Sequence, residues 1–309
     1  MKIAIFGTGG VGGYFGGRLA QNGEDVTFLA RGAHLEAIRE KGLRVESIDG
    51  DFTIHPAKAS DSPESIGAVD LVILATKAWQ LDEAIAQMKP LIGNGTIILP
   101  MLNGMEHMQK LISAFGTQHI IGGFCRISVI IGAPGVIQHV GVQPYIAYGE
   151  WDNSKSERIQ KIHNLFTSIS GILAEIPADI QVAMWEKFIF ITGTSRVGAY
   201  TRKPLGEYRA DPETRAMLIS AFNETAAVAR AMGVGIGDDF VNETVRRLDN
   251  APGTVMASMQ KDMMAGKPSE LNEQTGAVIR MGKAAGVATP THEKLLAALL
   301  PFEQKARNH

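Results

Sequence analysis

The chain opens on a short apolar run, Ile3 to Phe6, broken at Gly7. A run this short ending on glycine predicts a β-strand. Apolar positions then recur with helical spacing from about Val11 to Asn22, and Gly23 is placed to stop that helix. Asp25 to Leu29 predicts a second strand. Val69 to Ala75 predicts a third, so nearly all apolar that both its faces must be covered, as in a parallel sheet. Thr96 to Leu99 predicts a fourth, reached through the Asn94-Gly95 turn. Strands alternating with helices belong to the α/β class, with a parallel sheet wrapped by helices.

The pattern changes near His119. Phe124 to Ile131, Gly135 to Val140 and Gln143 to Tyr148 are β-rich, and Ala133-Pro134-Gly135 marks a hairpin connection. These strands are expected to finish the sheet in antiparallel fashion. A polar loop from Trp151 to Ser156, a helix near Glu157 to Ile169 and a strand from Ile172 to Ile176 close the first domain. Beyond Pro177 the strand signal fades. Ile180 to Gly193, Pro212 to Met232, Asp238 to Leu248, Val255 to Ala265, Glu270 to Ala285 and Thr291 to Lys305 all predict helices. The expected organisation is a Rossmann-type dinucleotide-binding domain over residues 1–177 and an all-α domain over 178–309, within the reach of a 309-residue chain.

Composition narrows the function classes. A net charge of −2 gives no general drive toward nucleic acid or an anionic membrane, so neither is an expected partner. No apolar run approaches the ~20 residues of a membrane span, and the opening run is too short for a secretory signal. A single cysteine, Cys125, cannot form an internal disulfide, and its apolar setting suits a buried inert thiol better than a nucleophile. The expected location is the cytoplasm, and no metal site is expected. The helical half offers faces on which two copies could pair as a homodimer.

The first candidate chemistry lies in the loop after strand one: Gly7, Thr8, Gly9, Gly10, Val11 and Gly12. A dinucleotide-binding turn must bend sharply, admit a pyrophosphate against its backbone and let a helix pack close to a strand. Gly7, Gly9 and Gly12 meet those needs in the order G-x-G-x-x-G. The helix N-terminus then directs free N–H groups at the phosphates. Gly13, Gly16 and Gly17 cost up to about 1 kcal/mol each in helix propensity, which points to close approach of the sheet or the cofactor. NAD sites commonly carry an acidic residue at the end of strand two. Here that position is Arg31, whose guanidinium suits a 2′-phosphate, so the expected cofactor is NADP(H). His34 is near enough in sequence to add to that pocket. Lys77 and Asn103-Gly104 follow strands three and four at the ends where open α/β sheets bind ligands.

Val182 to Thr192 carries only two charges, Glu186 and Lys187, in a helix apolar almost all round. A lysine there either snorkels its head to water or stands partly buried, where its pKa falls readily and it serves as a general acid. Ser258 sits in a Met-rich helix, and Glu270 begins another.

The glycine loop, Arg31, Lys77-Ala78-Trp79, Asn103-Gly104-Met105, Trp185-Glu186-Lys187, Ser258-Met259 and Glu270 stand in an order that resembles the ketopantoate reductases (2-dehydropantoate 2-reductases), over nearly the whole chain. The resemblance implies NADPH-dependent reduction of 2-dehydropantoate to (R)-pantoate, on the route to pantothenate and coenzyme A. It makes Lys187 the general acid at the C2 oxygen, and has Asn103 position the carbonyl and the nicotinamide. Glu270 would orient Lys187 and the substrate, Ser258 would bind the substrate carboxylate, and Lys77 would lie near the cofactor. Arg31 would hold the 2′-phosphate.

The chain also departs from that pattern. Where relatives carry substrate-facing asparagines one and two turns beyond the lysine, Ile191 and Ser195 stand here, and Val255 replaces a third. Residues i, i+4 and i+8 share a helix face, so Lys187, Ile191 and Ser195 form one stripe. Two other readings are therefore carried: an NADPH-dependent reductase of a different 2-oxo acid, and a non-catalytic NADP(H)-sensing protein.

Overall fold

In the computed structural model, which describes residues 1–308, the opening apolar run forms strand β1 (Lys2–Phe6) and the glycine loop leads into helix α1 (Gly10–Gln21). There follow β2 (Asp25–Leu29), α2 (Gly32–Lys41), β3 (Leu43–Ser47), β4 (Phe52–Ile54), β5 (Lys58–Ser60), β6 (Leu71–Leu74), α3 (Leu81–Met88), β7 (Ile97–Pro100) and α4 (Glu106–Phe115). Then come β8 (Gly122–Ala133), β9 (Val136–Gly149), α5 (Glu157–Thr167) and β10 (Leu173–Glu175). The remainder is helical: α6 (Ile180–Thr201), α7 (Leu205–Ala210), α8 (Pro212–Ala231), α9 (Phe240–Asp249), α10 (Ser258–Met264), α11 (Ala277–Ala285) and α12 (Pro290–Arg307).

The chain divides into two units: Met1–Leu102 with His107–Ile180, and Asn103–Glu106 with the chain from Gln181 onward. The first unit holds a five-stranded sheet in the order β5-β2-β1-β6-β7, parallel throughout. All four residues of β6 and of β7 are buried, as strands covered on both faces require.

The β-rich stretch after His119 does not finish this sheet. Strands β8 and β9 form a long antiparallel hairpin turned at Pro134-Gly135, and β9 then pairs in parallel with β3 and β10 to make a second sheet. The two strands expected over Gly135–Val140 and Gln143–Tyr148 are one strand, irregular at Gly141 and Val142, where φ is 151° and 61°.

The reason for two sheets lies in α1, which packs against strands of both. A β-carbon at Gly12 or Gly16 would stand 2.9 or 2.6 Å from the Ile5 side chain of the first sheet. One at Gly10 or Gly13 would stand 2.9 Å from the Val129 carbonyl or 2.6 Å from the Ile137 side chain of the second. The glycines that weaken α1 as a helix thus let it lie between two sheets, with Tyr14, Phe15 and Leu19 fully buried.

In the second unit α8 packs with α7, α9, α11 and α12. Helix α6 runs past Gly193 to Thr201, because Gly193 is a packing position: a β-carbon there would meet the Phe222 ring at 2.3 Å. Between Glu270 and α11 the chain makes a π-helical turn, Asn272–Gly276. Such turns often accompany functional sites.

Candidate active site

The glycine loop has the geometry its sequence requires. Gly7 has φ of +100°, which a residue with a side chain rarely adopts. A β-carbon at Gly12 would lie 2.2 Å from the Gly7 carbonyl oxygen, so only glycine lets α1 approach the turn. At Gly9 a β-carbon would meet nothing within 4 Å, leaving space where a pyrophosphate can lie against backbone. Thr8 is buried, and both its N–H and its hydroxyl donate to the Leu29 carbonyl, tying the loop to the end of β2. Gly10 and Val11 open the first turn of α1. These residues fit a bound dinucleotide.

Arg31 directly precedes α2, its side chain 62% exposed. Its guanidinium donates to Glu83 Oε1 at 3.0 Å and to Gln87 Oε1 at 2.7 Å, both on α3. This bond to Arg31 lowers the Glu83 pKa below the ordinary carboxylate range. His34 is engaged elsewhere: its Nδ1 accepts from the Gly135 N–H at 3.0 Å, and burial lowers its pKa. It therefore adds no fixed positive charge near Arg31. Lys77 is exposed after β6, its ammonium 5.7 Å from the centre of the Trp79 ring.

In the second unit three expected residues come together. Lys187 Nζ donates to Asn103 Oδ1 at 3.0 Å, and Asn103 Nδ2 donates to Glu270 Oε2 at 3.1 Å. A lysine ammonium only donates and an ionised carboxylate only accepts, so the Asn103 amide can face only one way. Asn103 is carried by a short segment fixed to the same unit, where Glu106 takes both arms of Arg280 at 2.6 and 3.0 Å. The residue before Glu270 is fixed as well: the Ser269 N–H and hydroxyl donate to the buried carboxylate of Glu303 on α12.

The other expected substrate residues stand differently. Ile191 is partly buried on α6, one turn beyond Lys187. Ser195 is buried, and its hydroxyl is used inside the fold, donating to the Ile191 carbonyl and accepting from Arg196. Ser258 is exposed at the first position of α10, and Val255 is 45% exposed just before it.

Three residues that pattern reading passed over complete the cluster. Gln274 Nε2 donates to Glu270 Oε2 at 2.9 Å, while its Oε1 accepts from Arg196 Nη2 at 2.8 Å. Arg196 Nε donates to Thr275 Oγ1 at 2.6 Å. Arg196 is fully buried; burial lowers its pKa below the usual guanidinium value while the Glu270 charge opposes that, and an arginine stays cationic even so. The available signal was Arg196 itself, the only charged residue between Phe188 and Thr201. Among the described residues, no helix is long and apolar enough to cross a membrane.

Known proteins resemble this chain over nearly its whole length. Residues 3–153 match the family model for ketopantoate reductase PanE/ApbA, and residues 179–303 match the model for its C-terminal part. The chain is 32% identical to an uncharacterized oxidoreductase, YkpB, of Bacillus subtilis, over 98% of this chain and 99% of that protein. It superposes on the crystal structure of 2-dehydropantoate 2-reductase from Geobacter metallireducens with a TM-score of 0.90 and 32% identity, covering 97% of this chain and 99% of that one. It also resembles D-mandelate dehydrogenase in complex with NADH, at a TM-score of 0.86 and 25% identity, over 98% and 99% of the two chains.

Proposed function

The chain belongs to the ketopantoate reductase family, and on that premise we propose that it reduces the C2 carbonyl of a 2-oxo acid, 2-dehydropantoate foremost, using NADPH. The observation that carries this reading is the hydrogen-bonded series Lys187, Asn103 and Glu270.

The dinucleotide supplies the hydride when bound; Gly7, Gly9 and Gly12 would hold its pyrophosphate. Arg31 supports the choice of NADP(H), since an exposed guanidinium at the end of β2 can pair with a 2′-phosphate. Lys77 is assigned near the cofactor. A carbonyl that gains hydride becomes an alkoxide, and Lys187 transfers one ammonium proton to that oxygen, leaving a neutral amine and an alcohol. Asn103 holds the ammonium by one of its three protons. Glu270, held by Asn103 and Gln274, supplies the negative charge that keeps the series oriented. Ser258 is assigned to the substrate carboxylate.

Ile191 favours a second reading, a substrate with an apolar end. An aliphatic residue one turn beyond the acid offers no hydrogen bond to a substrate hydroxyl, and sites without such partners select hydroxyls poorly. The similarity to a mandelate dehydrogenase, named for an aromatic hydroxy acid, points the same way. A panel of 2-oxo acids, followed by NADPH oxidation, separates the two. The first reading expects 2-dehydropantoate to have the highest kcat/KM; far faster turnover of a 2-oxo acid with an apolar or aromatic tail would replace it with the second.

A further inference from the structure

The proton donor is not the end of the series. From Lys187 the hydrogen bonds continue through Asn103, Glu270 and Gln274 to Arg196. The order is cation, amide, carboxylate, amide, cation. Both amides donate to one oxygen, Glu270 Oε2, at 3.1 and 2.9 Å. Gln274, like Asn103, stands between an acceptor-only carboxylate and a donor-only cation, so its amide too can face only one way.

Arg196 itself is held on every side. Nε donates to Thr275, Nη2 to Gln274, and Nη1 to Ser195 Oγ and the Ile191 carbonyl. Gln274 and Thr275 are consecutive residues of the π-helical turn that follows Glu270. A guanidinium with no carboxylate against it is costly to bury. The Glu270 charge, one amide away, is the nearest negative charge that the bonded series supplies.

We infer that Arg196 is a positioning residue for the reductase reaction, acting through Gln274 to supply the Glu270 carboxylate with a countercharge and to hold it turned toward Asn103 and Lys187. The inference rests on the catalytic reading of Lys187, but its structural content does not. The other ionisable groups on the elements packed beside Glu270 have partners of their own. On α12, Glu303 pairs with Arg307 at 2.7 Å, and His292 is buried with a lowered pKa. On the π turn and α11, Glu273 lies 3.9 Å from Arg307, and Arg280 is bound to Glu106. On α6, Lys187 faces Glu270 through Asn103.

The test follows the Glu270 carboxyl directly by carbon NMR of the 13C-glutamate-labelled full chain, with Glu270→Gln identifying the signal. In Arg196→Met the titration midpoint should rise by about one pH unit or more, because a nearby cation no longer favours the carboxylate. In Arg196→Lys, which keeps the charge, it should stay within about 0.3 unit of the unsubstituted chain. Kinetically, Arg196→Met should lower kcat about tenfold and move the acid limb of its pH profile upward, while KM changes little, since Arg196 touches no substrate. An unchanged midpoint in Arg196→Met overturns the inference, and so do equal shifts in both variants, which would mean a packing role. If Arg196→Met does not fold, Arg196→Gln carries the test: it removes the charge but keeps an amide that can donate to Gln274, so the midpoint must still rise, and an unchanged midpoint there overturns the inference as well. The catalytic reading fails separately, if the unsubstituted chain shows the expected titration but reduces no 2-oxo acid.

Discussion

Asn103 presents its amide oxygen to Lys187 at 3.0 Å across 84 positions of sequence. The oxygen can only be the atom facing Lys187, because the amide nitrogen is committed to Glu270. A freely rotating lysine would spread its proton over many positions; one held by an oriented acceptor presents its remaining protons in a narrow range of directions.

Lys187→Ala should therefore lower kcat by about 10²-fold or more, the usual loss for a general acid. Asn103→Leu should lower it less. The double variant should be no slower than Lys187→Ala alone, because Asn103 acts through the lysine and residues acting as a unit are not additive. Steady-state NADPH oxidation with the preferred 2-oxo acid measures all three. Unchanged turnover in Lys187→Ala would remove the lysine from the mechanism.

Gly9→Ala and Gly12→Ala should fail for different reasons. At Gly12 the new methyl would stand 2.2 Å from a backbone oxygen, so the Tm should fall, with a cost of about 1–3 kcal/mol or more for overpacking. At Gly9 the methyl meets no protein atom within 4 Å, and φ of −82° suits alanine, so the Tm should hold. What the Gly9 methyl does fill is the approach to the pyrophosphate, and the Kd for NADPH should rise about tenfold or more. Thermal unfolding and quenching of protein fluorescence by NADPH distinguish the two. A normal Kd in Gly9→Ala would argue against the assigned position of the phosphates.

The strand–glycine–helix unit was legible because each demand falls on neighbouring residues. Lys187 was legible because a charge breaks an apolar helix. The second sheet was not: it joins β3 to β9, with Val45 opposite Ile137, and no local pattern records a pairing of that separation. Arg196 is hard to read as buried, because a lone arginine on a helix is expected to carry its head to water, and the groups that bury it, Thr275 and Gln274, stand 79 and 78 residues away. Gln274 stands one turn after Glu270 and could have been noticed. The π turn that gives both Gln274 and Thr275 to Arg196 is a tertiary compromise, with no residue signature of its own.

Arg31, proposed to hold a 2′-phosphate, is paired with Glu83 at 3.0 Å. Both side chains are more than half exposed, so the pair itself is weak and displaceable. A 2′-phosphate with two negative charges competes well against one carboxylate. Arg31→Asp should raise the KM for NADPH about 10- to 100-fold, the equivalent of losing charged hydrogen bonds worth roughly 1.5–3 kcal/mol, and shift preference toward NADH. Glu83→Gln should lower the KM for NADPH by removing the competitor. Equal use of NADPH by Arg31→Asp would show that the 2′-phosphate is read elsewhere.

His292 links the second unit's stability to pH. It is fully buried on α12, and its Nε2 lies 2.9 Å from Thr225 Oγ1 and 3.1 Å from the Ala221 carbonyl. A carbonyl only accepts, so Nε2 carries a proton toward Ala221. Burial first, and the Arg196 charge after it, lower its pKa from 6.5 to about 4, against the Ala221 bond. Between those values the unfolded chain takes up a proton that the folded chain refuses. The stabilisation is therefore complete above pH 6.5 and is lost as pH falls toward about 4. The loss should reach roughly 3 kcal/mol at about 1.4 kcal/mol per pH unit. Urea unfolding at pH 7, 6 and 5 should show this slope in the unsubstituted chain. His292→Gln, which keeps a donor for Ala221 but takes up no proton, should flatten the slope by one proton. Parallel pH dependences in the two proteins would mean that His292 protonates in the folded state, and that its burial does not control the titration.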